Sequence, residues 1–152
     1  MMAVEQGRGS GRIVVGVDGS DSSKAALAWA VRQAALTGDT VDAVSAWQPP
    51  ATYGYDGWVA IDIPDFEQLT RQMLDEAIAA AAAPGVQIRP LVVRDNAARA
   101  LLDAAKDADL LVVGSRGHGG FTGALLGSVG QHCVQHADCP VLVVRGHRDN
   151  GS

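Results

Sequence analysis

Long apolar runs are missing from this chain of 152 residues: none reaches the roughly 18 that would span a bilayer, and the opening MMAVEQGRGSGR has no apolar core of the kind a signal peptide carries. The expectation is a cytoplasmic protein with no membrane contact. Positive charge is short as well. With 12 Lys and Arg against 17 Asp and Glu, a net of -5, no broad basic surface exists to hold a phosphate backbone by counterion release, so nucleic acid is not an expected partner. Cysteine is limited to Cys133 and Cys139, late in the chain and without the paired spacing of a disulfide framework or a zinc site. Nor is there length for a second domain. Residues 12–147 read as one domain between tails at 1–11 and 148–152, and a hydrophobic fraction of 47% suffices for a core covered on both faces.

What is present is an alternation of strands and helices. RIVVGVD (12–18) is a short β-branched run of the kind buried on both faces of a parallel sheet. Ser20 or Ser22 can cap the helix that follows, in which Leu27, Ala30, Val31 and Ala34 recur at helical spacing, and Gly38 suits a left-handed stop. TVDAVSAW (40–47) is the second strand. A second helix is predicted from Pro64 and Asp65, with Phe66, Leu69, Met73 and Ala77 on one face and an end at Pro84-Gly85. VQIRPLVV (86–93) is the third strand, placed at an edge by Pro90, which cannot donate to a ladder. A helix over 96–106, the continuously apolar and therefore central strand DLLVVG (109–114), a helix over 123–136 and the strand VLVVR (141–145) complete the order. This spacing predicts right-handed crossovers and an α/β fold: one doubly wound, Rossmann-like parallel sheet of five strands in the order 3-2-1-4-5. Ligands of such sheets bind beyond the carboxyl ends of the strands where the winding reverses, which directs attention to the loops after strands one, two and four.

After strand four the chain runs GSRGHGGFTGALLGSVG, with glycine at 114, 117, 119, 120, 123, 127 and 130. Without Cβ atoms, backbone N–H groups can approach an anion closely, and the next helix adds its positive end, so phosphate is the natural guest; the alternative is a merely permissive connection. The hydroxyl of Ser128 is placed to meet a phosphate or a bound Mg²⁺. No GxxxxGK[ST] occurs, and the glycines do not follow strand one, so neither a P-loop nor a dinucleotide fingerprint is present.

The pattern is G-x2-G-x9-G-S, formed by Gly114, Gly117, Gly127 and Ser128. Together with VVGVDGSDSS near the start and CPVLVVR near the end, it resembles the ATP-binding branch of the universal stress protein family, over nearly the whole chain. The resemblance implies an adenine nucleotide α-hydrolase-like fold and a regulatory, non-enzymatic role in stress response, with ATP or another adenine nucleotide as ligand and slow hydrolysis or none. Asp18 matches the acid that holds the adenine, although an acid at a helix amino end is an equal reading of the residue itself. Val17 and Ala46 match strand ends against which the purine packs, or are simply core. Val113, Gly114, Arg116 and Gly117 match the segment around ribose and phosphates, and Gly127, Ser128, Val129 and Gly130 the part around the terminal phosphates. The chain departs from the family at Gly130, where Ser or Thr is frequent, and in VRDNAAR (93–99), which lacks a Gly-x-Pro before helix three.

Other signals divide between function and structure. Arg116 can offset phosphate charge or be a solvated loop residue, and His118 borders the same loop. His132 and His136 lie four apart on helix four, a metal-ligating spacing without a third ligand in sight, so no protein metal site is expected beyond Ser128 acting through ATP-bound Mg²⁺. Cys133 lies on the apolar stripe Leu126, Val129, Cys133, Ala137 and reads as a core thiol. Trp47, Tyr53, Tyr55 and Trp58 gather after strand two, in a segment (48–63) read as a flap over the nucleotide or as a variable loop. VLVV at the end of the sheet predicts an exposed edge that a second copy would cover, and the family resemblance likewise implies a homodimer through strand 141–145. An ATP-using enzyme of the ATP pyrophosphatase type is the competing class, on the weak likeness of DGSDS (18–22) to an SGGxDS pyrophosphate loop.

Overall fold

The computed structural model describes residues 11–49, 65–116 and 127–146. Five parallel strands alternate with four helices: β1 (Arg12–Gly16), α1 (Asp21–Thr37), β2 (Thr40–Trp47), α2 (Phe66–Ala81), β3 (Ile88–Arg94), α3 (Ala97–Ala104), β4 (Leu110–Gly114), α4 (Ser128–His136) and β5 (Val141–Val144). The sheet order is β3-β2-β1-β4-β5, as expected, with the reversal of winding between β1 and β4.

Period-2 alternation assigns each strand residue to one face. Ile13 and Val15 of β1, Val41 and Ala43 of β2 and Val112 of β4 pack with Ala26, Leu27, Ala30, Val31 and Ala34 of α1 and with Leu74 and Ala77 of α2. On the opposite face Val14, Val44, Leu111 and Val113 pack with Ala100 and Leu101 of α3 and with Cys133 of α4. The strands are apolar on both sides because both sides are covered.

Local chemistry sets the helix ends. Ser20, rather than Ser22, caps α1 by accepting from the Ser23 amide, and Gly38 closes it at φ 84°. Asp65 caps α2 through the Gln68 amide, and Asn96 caps α3 through the Arg99 amide, filling the place left by the absent Gly-x-Pro. Pro90 stands on β3 at the sheet edge, as predicted. Strand β3 begins at Ile88 instead of Val86 because the chain is still turning at Gly85, φ 80°, with the Val86 amide bonded to the Ala83 carbonyl.

Two expectations need correction. The buried stripe of α2 is set by Leu74 and Ala77 with Ile78 and Ala81 beside them; Leu69 is 53% exposed, because the 3-4-7 spacing that meets the sheet starts at residue 74. Helix α4 starts at Ser128 and not at Gly123: Gly127 is extended (φ -64°, ψ 162°) and serves as its amino cap. The segments 50–64, with Tyr53, Tyr55 and Trp58, and 117–126, with Gly117 and His118, lie outside the described residues, as do 1–10 and 147–152.

Away from the switch point, β2 carries a buried carboxylate that sequence reasoning had passed over. Asp42, 1% exposed, accepts from Arg89 Nε at 2.7 Å and Nη2 at 2.8 Å, and from Arg12 Nη1 at 3.3 Å. The same Arg12 guanidinium donates to the Ala104 and Lys106 carbonyls at 2.8 and 2.6 Å, so it also closes the carboxyl end of α3. The Asp42 carboxylate holds the Arg89 proton, raising its pKa above the ordinary arginine value through the hydrogen bond and then the charge.

Candidate functional site

A cavity opens on the α3/α4 face at the carboxyl ends of β1, β2 and β4, where the winding reverses. Gly16, Val44 and Val113 come to it from the sheet, Ser23 from the first turn of α1, Ala97 and Leu101 from α3, Val129 and Gly130 from α4, and Asp18 and Arg116 from the loops. Of the residues singled out from sequence, Val17, Asp18, Ala46, Val113, Gly114, Arg116, Val129 and Gly130 all line this one cavity. Ser128 lines an adjoining groove between α3 and α4 that shares Val129 with it, and Gly127 caps the helix between them. Gly117 lies outside the described residues.

The walls differ in character. At the apolar end, Ala46 is half-buried, and Leu101 of α3 lies against Gly16, where an added Cβ would come within 2.8 Å of a Leu101 methyl. The missing side chain at residue 16 is what lets α3 settle onto β1. Val17 is 3% exposed; its amide donates to the Val44 carbonyl at 2.9 Å and its carbonyl accepts from Ser45 Oγ at 2.6 Å, so its backbone is already used by the fold. At the polar end, Asp18 Oδ1 accepts from the Ser20 amide at 2.9 Å and from Ser20 Oγ at 2.6 Å, which sets the carboxylate at the rim.

The amino end of α4 meets the same cavity. Gln131 is the first residue to return a helical bond, to the Gly127 carbonyl at 2.9 Å, so the Ser128, Val129 and Gly130 amides have no acceptor within the helix and present the positive end of its dipole. Beside Arg116, that donor set is suited to an anion, while the Ala46, Val113 and Leu101 surfaces are suited to a flat apolar ring. An adenine nucleotide needs both ends.

The serines after β1 are committed internally. Ser20 caps α1 and bonds Asp18, Ser23 Oγ donates to the Ser20 carbonyl at 3.0 Å and accepts from the Asp18 amide at 3.2 Å, and Ser22 Oγ bonds the Arg116 backbone. Gly16, Ser23, Val44, Ala97 and Leu101 were not foreseen as cavity residues. Alternation along β1 and β2 would have found Gly16 and Val44, but those on helices needed the packing.

His132 and His136 have ring centroids 4.5 Å apart with planes tilted by 40°, and among the described residues no three His, Cys, Asp or Glu side chains converge as a metal site would require. Cys133 is fully buried in the α3/α4 core, and burial, with the neighbouring Cys139 charge, pushes its thiol up to about 11; burial also raises Cys139. Neither is a nucleophile near neutral pH. Among the described residues no helix is long and apolar enough to cross a membrane.

Residues 9–145 match the model of the universal stress protein family. Universal stress protein Rv2623 of Mycobacterium tuberculosis is 40% identical over 135 residues, covering 88% of this chain and 44% of that protein, so the chain spans less than half the length of this relative. Among solved structures, a universal stress protein crystallised in complex with cAMP is 30% identical, with a TM-score of 0.59 over 88% of this chain and 95% of its own. At 18% identity, where likeness speaks for the fold alone, the hypothetical protein MJ0577 has a TM-score of 0.77 (91% of this chain, 98% of its own). A family protein from Arabidopsis thaliana with AMP bound, also 18% identical, has a TM-score of 0.61 (93% and 95%).

Proposed function

The chain belongs to the universal stress protein family, and on that premise we propose that it is a regulatory protein that binds an adenine nucleotide, ATP foremost, in the cavity at the β1/β4 switch point and turns it over slowly or not at all. The observation that carries this reading is the convergence on one cavity of eight positions taken from four separated stretches of sequence, with an apolar end and an end formed by Arg116 and the first turn of α4. The 30% identical relative in complex with cAMP supports an adenine nucleotide as the class of ligand.

In this reading the purine lies between Ala46, Val113 and Leu101, with the Asp18 carboxylate, held by Ser20, available to the exocyclic amine. The phosphates meet the first-turn amides of α4 and the charge of Arg116. Gly130 contributes its amide without a hydroxyl, and Ser128, in the adjoining groove, offers a hydroxyl to a phosphate or its Mg²⁺. Regulation rather than turnover is favoured by the chemistry of the described residues: the serine hydroxyls after β1 are spent on internal bonds, and both thiols are held protonated. A second copy pairing along β5, at the open edge of the sheet, completes the proposal.

The test is to denature the purified protein, identify released nucleotide by chromatography, and titrate nucleotide-free protein with ATP, ADP, AMP and cAMP by calorimetry while following phosphate release. Co-purified or tightly bound adenine nucleotide with negligible turnover is expected. An empty preparation that binds none of the four at millimolar concentration refutes the reading, and turnover at ordinary enzyme rates refutes its regulatory half.

A further inference from the structure

Ser22 lies 94 residues from Arg116 in sequence, yet its hydroxyl serves both backbone groups of that one residue: it donates to the Arg116 carbonyl at 2.8 Å and accepts from the Arg116 amide at 3.2 Å. Ser22 is 5% exposed, so water does not compete for these bonds. The space around it is closed. A Cβ added at Gly114 would come within 2.5 Å of Ser22 Oγ and 2.7 Å of its carbonyl carbon, and one at Gly146 within 3.2 Å of the Ser22 amide nitrogen. A small side chain that both donates and accepts is required there, which describes serine.

The neighbouring residue is pinned as firmly from the other side. The Ser115 amide donates to the Val144 carbonyl of β5 at 2.8 Å, and the Ser115 carbonyl accepts at 2.8 Å from the amide of Gly127, the cap of α4. Residues 115 and 116 are thus tied to β5, to the amino end of α4 and to the amino end of α1, there through the two Ser22 bonds and a longer one, 3.4 Å, from the Ser20 hydroxyl to the same Arg116 carbonyl. They are also where the chain enters the glycine-rich stretch.

We infer that Ser22 is a positioning residue for the phosphate end of the cavity: its hydroxyl holds the Arg116 backbone where the chain leaves β4, so that Arg116 and, through the Ser115 carbonyl and the Gly127 amide, the amino end of α4 stand together at that end. This rests on the nucleotide reading of the cavity. Ser22 does not line the cavity, and its effect falls on the phosphate end, since the apolar walls are carried by β2, β4 and α3.

The experiment compares ATP with adenosine on the wild-type chain and on Ser22→Ala by calorimetry, with hydrogen exchange read at the Arg116 amide by NMR. Ser22→Ala removes both bonds to Arg116 and should weaken ATP by about five- to tenfold, change adenosine by less than about twofold, and speed exchange at Arg116. Equal loss for both ligands, or unchanged ATP affinity, overturns the inference, as does an Arg116 amide that exchanges in the wild-type chain at the rate of an unprotected one. That last measurement needs no variant, so it decides even where Ser22→Ala does not fold. Should the wild-type chain bind neither ligand, the nucleotide reading fails, and unchanged Arg116 exchange on Ser22→Ala would separately overturn the positioning role.

Discussion

Asp42 offers the sharpest quantitative test of how this fold is held. Replacing it with Asn removes the charge shared by Arg89 and Arg12 while keeping the volume, so the change reports electrostatics and hydrogen bonding rather than a cavity. Three contacts are affected, at 2.7, 2.8 and 3.3 Å. Breaking a fully buried pair by deleting one partner costs about 3–5 kcal/mol. Here the Arg89 side chain is 52% exposed and the Arg12 side chain 27%, so water takes back part of what each guanidinium loses. The cost is accordingly placed below that range, at about 2–3 kcal/mol, which for a domain of this size lowers the melting temperature by about 5–10 °C. Urea unfolding followed by circular dichroism measures it, and a double-mutant cycle with Arg89→Met should return a favourable coupling between the two positions. Because Arg12 also bonds the Ala104 and Lys106 carbonyls, exchange at the carboxyl end of α3 should rise with the loss of Asp42. A cost under about 0.5 kcal/mol would show that the network is neutral to stability and that its geometry misleads.

Three further outcomes are expected. Ala46→Leu, which fills the apolar end of the cavity from a half-buried position, should weaken ATP by more than about tenfold with little change in unfolding midpoint; unchanged calorimetric affinity would place the purine elsewhere. Because the folded Cys133 thiol stays protonated up to about 11, above the ordinary value of 9.0, the unfolded state gains by ionising first, so stability from this group is intact below about 9 and is lost as pH rises toward 11; Cys133→Ala should flatten that fall in chemical unfolding, and a fall that persists unchanged assigns it to other groups. In β5 the Pro140 and Val144 carbonyls face β4, so by alternation the Val143 amide faces the open edge; Val143→Pro should turn a dimer into a monomer in light scattering, and a wild-type monomer at micromolar concentration would remove the β5 pairing altogether.

How much could be read beforehand varies with the range of the interaction. Gly38 at φ 84°, the caps at Ser20, Asp65 and Asn96 and the edge position of Pro90 are local effects, and each follows from the chemistry of a few neighbouring residues. The error at α2 is of another kind. Leu69 and Leu74 are equally apolar, and only the height at which the helix crosses the sheet decides which is buried. Asp42 could have been noticed as a lone acid within TVDAVSAW, but its partners Arg12 and Arg89 become neighbours only when β1 and β3 flank β2.

Composition, periodicity and turn residues by themselves determined an alternating α/β chain, its parallel sheet and the loops at which a ligand should be sought, because these depend on contacts along the chain. The glycine spacing also pointed to a segment whose described ends, at Gly114 and Arg116 and at Val129 and Gly130, meet at the cavity. Only the tertiary structure decided that Leu101 closes the cavity over Gly16 and that Ser22 holds Arg116. These are meetings of residues far apart in sequence, set by helix placement to within an ångström, and no local pattern encodes a distance of that kind.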